Sequence, residues 1–149
     1  MDVTYQSEII HRELISEMSL LLIDHWNEAN DDMDEIDVDW PMYQSLQKQG
    51  SYYLFTIRAE SELIGYAGYM IIPSLQCRKR LQAVGDMIYV KPEYRGKMLA
   101  IKLMKFAENK MKEVGANAIS QSIKAHHDFS AMMRRLGYKL EEYYFTKRI

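Results

Sequence analysis

"VKPEYRGKMLAIKLMKFAENKMKEVG" (residues 90–115) is the stretch whose reading decides the fold. It begins as a strand end, turns at Pro92 and becomes a helix. Ala100, Leu103, Met104, Ala107, Met111 and Val114 are spaced 3, 1, 3, 4 and 3 apart. That spacing predicts one apolar helix face, with Lys97, Lys102, Lys105 and Lys112 mostly outside it. Gly115 stands where such a helix stops. The start is unusual, because Arg95-Gly96-Lys97 places two cations where the helix dipole disfavours them. A bound anion resolves the conflict. Helix N-termini carry unpaired N–H groups and partial positive charge. Gly96 lets the backbone approach closely, and Arg95 and Lys97 add charge. The competing reading is a solvated turn with a convenient glycine.

Working outward, "LQAVGDMIYV" (81–90) reads as the strand before this turn and "ANAISQSI" as a short strand after the helix, over 118–123. Strand, helix and strand then form a βαβ unit with a right-handed crossover. Upstream, Tyr53, Phe55 and Ile57 alternate, "AESE" offers a turn, and residues 63–72 return as a second strand, an antiparallel hairpin. Ile9, Leu14, Met18, Leu21, Leu22 and Trp26 recur at helical spacing over residues 8–27. "NDDMDEIDVDW" (30–40) holds six carboxylates and reads as a loop. Asp39 is placed to cap a second helix, with Pro41 in its first turn and Gly50 at its end. "VTYQ" (3–6) is a candidate first strand, residues 129–136 a short helix stopping at Gly137, and "YKLEEYYFTKRI" a closing strand or hairpin. The order β, α, α, β, β, β, α, β, α, β is a mixed α/β sheet in one domain, residues 1–149.

Composition narrows the function. A net charge of −2 gives no basic field for nucleic acid. Apolar runs such as "LLLI" (20–23) are too short to span a bilayer, and "MDVTYQSEII" lacks the layout of a signal peptide. Cys77 is the only cysteine, which fits a reducing, cytoplasmic setting. Eleven methionines read as core filler or as an adaptable binding surface. The turn is neither a P-loop, lacking G-x-x-x-x-G-K-[ST], nor a dinucleotide fingerprint, lacking G-x-G-x-x-G.

"DMIYVKPEYRGKMLAIKLMKFAE" followed by "MMRRLGYKLEE" resembles the GNAT superfamily of acyl-CoA-dependent N-acetyltransferases. That family's pattern is a strand ending V-x-P-x-x-R-G, a helix entered through Q/R-x-x-G-x-G/A, and a later helix ending L-G-F or L-G-Y. The resemblance covers about residues 50–149, and the leading helices also suit the fold. "LQAVGDMIYVKPEYRG", "KAHHDFS" and "RRLGYKLEEYYFTKRI" look like small phage-encoded members. The resemblance implies a mixed sheet with antiparallel N-terminal strands, a parallel pair that splays apart, and helices on both faces. It further implies acetyl-CoA as co-substrate. The pyrophosphate would lie on the backbone of Arg95, Gly96, Lys97, Met98, Leu99 and Ala100, and the pantetheine arm along Met87, Ile88, Tyr89 and Val90.

Two departures stand out. Met98 occupies a position where glycine is usual, and the family's frequent tyrosine acid aligns with Met133, which cannot donate a proton. Asp128 aligns with an asparagine and is placed to cap the short helix. Acyl transfer to an amine needs a neutral amine, a polarised carbonyl and a proton for the thiolate. The resemblance makes Asp86 the candidate base; its alternatives are a solvent-facing carboxylate or a binder of the substrate cation. N–H groups near Met87 or Ile88 are candidate oxyanion donors, and His126, His127 and the tyrosines candidate acids. No metal is expected, since adjacent histidines on a strand face opposite ways and no second His/Cys cluster exists.

The acidic loop and the Tyr-rich hairpin flank the acceptor side of related enzymes, where carboxylates suit an amine; the plainer reading is a solvated loop. The expected function is amine acetylation, with a homodimer allowed. The alternatives are an acyl-CoA binder without turnover and a non-enzymatic interaction module.

Overall fold

The computed structural model describes residues 1–29 and 34–149. The elements follow the order β1 (Val3–Glu8), α1 (Arg12–Ala29), α2 (Trp40–Lys48), β2 (Tyr52–Ala59), β3 (Glu62–Pro73) and β4 (Leu81–Val90). A 3-10 turn (Pro92–Tyr94) leads to α3 (Leu99–Glu113), β5 (Ala118–Ser120) and α4 (Ser130–Arg135). The strands form one sheet in chain order, antiparallel except for the parallel pair β4 and β5.

The sheet is covered on both faces. Phe55, Ile57, Ile64 and Tyr69 pack with Leu103, Ala107 and Met111 of α3. On the other face Tyr52, Leu54, Tyr66 and Tyr89 pack with Leu14, Met18, Leu21 and Leu22 of α1. Tyr52 and Leu54 thus face α1 while Phe55 and Ile57 face α3, the two-residue alternation of a strand. α2 is held beside α1 by its glutamines. Gln47 accepts from Ile10 N (2.8 Å) and donates to Glu8 O (2.8 Å), and Gln44 donates to Ile10 O (3.1 Å). These bonds satisfy the backbone where β1 turns into α1. Asp39 caps α2 as expected, its Oδ1 accepting from Met42 N at 2.9 Å, with Pro41 in the first turn.

Arg58 ties three elements. Its guanidinium meets Glu8 of β1 at 2.7 Å and Glu17 of α1 at 2.7 Å, and it donates to Ser61 O at 3.0 Å. The bond from Arg58 holds the Glu17 carboxyl below the usual glutamate range.

Four boundaries differ from the sequence reading. β1 runs on to Glu8 because it pairs with β2 from Val3↔Ala59 to Glu8↔Leu54, so α1 begins only at Arg12. Ile9 is accordingly 75% exposed while Ile10 is buried. α3 begins at Leu99, after a 3-10 turn, and not at the cations. β5 is limited to Ala118–Ser120, since its pairing with β4 ends at Val84↔Ser120. The closing segment forms no strand. Residues 138–149 make no ladder with any described strand, and Tyr143, Tyr144 and Phe145 are 79–91% exposed. Strand-like composition does not make a strand without a partner edge. The first four residues of the acidic loop, 30–33, lie outside the described residues.

Two register shifts matter. β3 has one extra residue opposite Ile57/Arg58, and β4 has one between Met87, which faces Gly68, and Gly85, which faces Tyr69. The extra residue of β4 is Asp86. Gly68 lies across from this bulge, and a Cβ there would stand 1.9 Å from Tyr52 Oη and 2.8 Å from Tyr52 Cζ. Glycine therefore opens the path by which the Tyr52 phenol crosses β3 toward β4. Gly68→Ala is expected to cost about 1–3 kcal/mol through this overlap with a fully buried ring. Thermal unfolding checks it, and a parental midpoint would show that the phenol does not take this path.

Candidate active site

A bulge leaves its extra residue unpaired and re-aims the side chain. Asp86 is so placed, exposed at the surface, with Oδ2 accepting from Tyr43 Oη of α2 at 2.7 Å and from Tyr52 Oη of β2 at 2.9 Å. Oδ1 has no partner among the described residues. Tyr43 packs edge-on against Tyr52, with centroids 4.9 Å apart, and lies 6.0 Å from Trp40. Burial first, and then the Asp86 charge, pushes both phenols well above the ordinary tyrosine range. They remain donors at any physiological pH.

Beyond Val84 the outer edge of β4 has no strand partner among the described residues, so β4 and β5 part on one side of Gly85 and Asp86. N–H groups of Met87, Ile88, Tyr89 and Val90 that face away from β3 are left for another partner. Gln121 stands at the fork. Its Oε1 is buried without a hydrogen bond among the described residues, and a Cβ at Gly85 would lie 2.2 Å from it.

At the far end of β4, Gly96 has φ +79° and Met98 φ +60°. Both are in the left-handed region, which favours glycine and costs other residues energy. This accounts for the usual glycine at the Met98 position. The Met98 side chain is 59% exposed, so its Cβ is accommodated toward solvent. The N–H groups of residues 96–101 make no hydrogen bond within the described residues, and the helical ladder starts with Lys102 N to Met98 O. An ideal Cβ at Gly96 would meet nothing within 4 Å. The turn is therefore a row of free donors bordered by open space, which suits an anion.

The side chains of this turn are placed differently from the sequence expectation. Arg95 donates to Val90 O (2.8 Å) and to Glu28 Oε2 (2.7 Å) and lies over the Tyr89 ring at 5.4 Å. Its own N–H is taken by Pro92 O at 3.1 Å. Lys97 lies over Tyr94 at 5.5 Å and has no ion-pair partner among the described residues. The N–H groups of Gly96, Lys97, Met98, Leu99 and Ala100 are thus the unpaired donors of this turn among the described residues.

Glu28 is the centre of a second group that the sequence reading missed. It holds Arg95 from the β4–α3 turn and His127 Nε2 from the loop after β5, at 3.2 Å. The bond from Arg95 keeps its carboxyl below the usual range. His25 of α1 stacks on Tyr89 (5.0 Å, 22°), and its Nδ1 is 2.8 Å from Tyr66 Oη. Nothing in local sequence pairs residues 25, 28, 66, 89, 95 and 127; only the sheet and the crossover bring them together. Asp128 Oδ1 accepts from Ser130 N at 2.8 Å, but Asp128 stands one residue before the cap of α4, which is Phe129 without a side-chain bond, and Met133 is buried in α4. Among the described residues there is no group of three or more His, Cys, Asp or Glu set to hold a metal. No described helix is long and apolar enough to cross a membrane.

These features fit coenzyme A. The row of free N–H groups suits a pyrophosphate. The unpaired edge of β4 and the orphaned Gln121 carbonyl suit the amide-bearing pantetheine arm. Residues 15–138 match the profile of the acetyltransferase (GNAT) family, and the chain belongs to that family. It is a transferase that uses acetyl-CoA as acetyl donor. Membership decides for an enzyme over the non-enzymatic interaction module.

Among solved structures, the ribosomal-protein-alanine N-acetyltransferase of Brucella melitensis biovar Abortus 2308 aligns with a TM-score of 0.77 and 17% identity, covering 100% of both chains. An aminoglycoside acetyltransferase from an uncultured soil metagenomic sample aligns with a TM-score of 0.78 and 14% identity, over 100% of this chain and 99% of that one. A predicted acetyltransferase from Clostridium acetobutylicum, determined with acetyl-CoA, gives 0.72 and 14%, over 99% and 96%. At such identities the likeness concerns the fold. No curated protein matches the chain in sequence.

His25 yields a pH prediction. Burial, partly offset by Glu28, lowers its pKa from 6.5 to about 4, with Arg95 and His127 acting in the same direction as burial. Unfolded chains then bind a proton in a range where the folded protein does not. The stability contributed by neutral His25 is complete above pH 6.5 and is lost as the pH falls from 6.5 to about 4. His25→Gln should flatten the fall in unfolding midpoint over that range. Parallel curves for variant and parent would remove His25 as its source.

Proposed function

We propose that the protein transfers the acetyl group of acetyl-CoA to a primary amine whose ammonium docks at Asp86. The observation that carries this reading is the position of Asp86. It is the unpaired residue of the β4 bulge, beside the point where β4 and β5 part, with one carboxylate oxygen open.

Acetyl-CoA supplies an acetyl group activated as a thioester. The residues have three tasks. The N–H groups of residues 96–101, with Lys97, bind the pyrophosphate, and the free edge of β4 at Met87, Ile88, Tyr89 and Val90 aligns the arm. Of the two candidate oxyanion donors, the N–H of Ile88 alternates away from β3 and would polarise the thioester carbonyl, while that of Met87 turns toward β3. Asp86 takes the ammonium and receives its proton, directly or through a water, leaving the lone pair free to attack.

Met133 offers no proton to the leaving thiolate, and none is essential. A thiol with an ordinary pKa of about 8.5 leaves readily as thiolate. Exposed carboxylates Glu35, Asp37 and Asp39 precede α2, the helix that brings Tyr43 to Asp86, and favour a cationic acceptor, while Asp34 pairs with Arg148 at 2.5 Å. The lone Cys77, free and exposed, suits a reducing compartment such as the cytoplasm.

The anion turn is tested by substitution. Acetyl-CoA at 100 times its Kd should stabilise the parent by about 2.7 kcal/mol. Gly96→Asp should abolish that shift, since it sets a carboxylate in the open space beside the turn, while lowering the unliganded stability by about 1 kcal/mol because φ is +79° there. Undiminished binding by calorimetry would move the phosphate elsewhere.

The chemical step is tested at Asp86. Asp86→Asn should lower turnover by about 10²–10⁴ in a thiol-release assay, with acetyl-CoA affinity unchanged. Alkaline pH should partly restore it, because more of the amine is then already neutral. Parental kcat in the variant would exclude Asp86 from proton transfer.

A further inference from the structure

The two phenols on Asp86 do more than support it. A carboxylate has two oxygens and about four lone-pair sites. Oδ2 already accepts from Tyr43 at 2.7 Å and Tyr52 at 2.9 Å, so both of its sites are used. Only Oδ1 is open.

Neither donor is free to withdraw. Tyr52 is 1% exposed and threads over Gly68, the position where a Cβ would collide with its hydroxyl. Tyr43 is wedged between Tyr52 and Trp40. The arrangement draws on four elements, since α2, β2 and the glycine of β3 are all needed to fix one carboxylate of β4.

We infer that Tyr43 and Tyr52 are positioning residues that saturate one oxygen of Asp86 and so make the acceptor site selective for a primary alkylammonium over a guanidinium. This rests on the proposed docking of the acceptor at Asp86. An ammonium is a compact charge with three donors, and one oxygen is enough to hold it. A guanidinium gains its advantage from a fork that engages both oxygens of a carboxylate. With Oδ2 filled by two O–H donors, the fork finds only Oδ1 of the carboxylate and loses the parallel pair of bonds to two charged oxygens. The Tyr43 ring, bonded to the carboxylate through its hydroxyl, offers apolar surface to the hydrocarbon stem that carries the ammonium.

The test compares n-butylamine with n-butylguanidine, which share a stem and a charge, as ligands in NMR titrations at neutral pH. The proteins are the parent, Tyr43→Phe, Tyr52→Phe and the double variant. The parent should bind the amine more tightly. The double variant should lose roughly threefold to tenfold of that preference, because freeing Oδ2 admits the second hydrogen bond of the fork. Tyr43→Phe alters a half-buried residue and should move the ratio in the same direction, which keeps the test valid if Tyr52→Phe does not fold.

A purely structural role for the phenols would weaken both ligands alike and leave the ratio unchanged; that result overturns the inference. So does a parent that binds the guanidine as well as the amine. A parent that acetylates amines yet shows either result loses only the tyrosine assignment. One in which neither ligand perturbs the Asp86 signals loses the acceptor site, and this inference with it.

Discussion

The parting of β4 from β5 after Val84 is the constraint on which the rest depends. A parallel pair held along its whole length would leave no free edge at Met87, Ile88, Tyr89 and Val90 and no gap for a slender ligand. The bulge at Asp86 lies two residues beyond the last pairing, and a bulge bends its strand and strengthens the local twist. One irregularity therefore accounts for both halves of the site. It directs β4 away from β5, and it leaves a carboxylate unpaired at the point of separation. The amides at the start of α3 follow the far end of the same strand, so both features are set along one element.

The side chains around this gap divide between holding and acting. Arg95 is the clearest case. The sequence places a cation at a helix start, and attraction to an anion is the economical explanation. The fold gives Arg95 a different set of partners: Val90 O, Glu28 and the Tyr89 ring. The same Glu28 carboxylate reaches His127 on the other side of the parting, so it joins the end of α1 to the loops following both strands. Free anion-binding capacity then resides in the backbone, where a row of unpaired N–H groups needs no side chain. This explains how Met98 can replace a glycine. The position requires a left-handed φ and an available N–H, and a methionine turned to solvent supplies both at a cost in backbone strain.

Much of this was legible in the sequence because the signals are local. Apolar spacing gave α3, Asp39 with Pro41 gave the start of α2, and the alternation of Tyr53, Phe55 and Ile57 gave β2. Gly115 and Gly137 both take positive φ at helix ends, as their positions suggested. Asp86 is singled out by the family resemblance, which implies a carboxylate at that place on the strand before the turn. The errors also share a cause. β1 was read short and the closing segment read as a strand because strand limits are set by pairing with distant chain, which composition does not report.

What the sequence by itself determined is the order of helices and strands from β1 to α4, the turn with its glycine, and the family that these define, since each is written within a few turns or strand lengths of chain. What only the tertiary structure decided is who meets whom. Tyr43 and Tyr52 are 43 and 34 residues from Asp86, yet both hydroxyls bond its Oδ2. Glu28 is 67 residues from Arg95 and claims the cation that the sequence offers to a phosphate. The physical reason is that hydrogen bonds and ion pairs act over about 3 Å in space whatever the separation along the chain. Only the packing of α1 and α2 across the sheet brings these groups within that range.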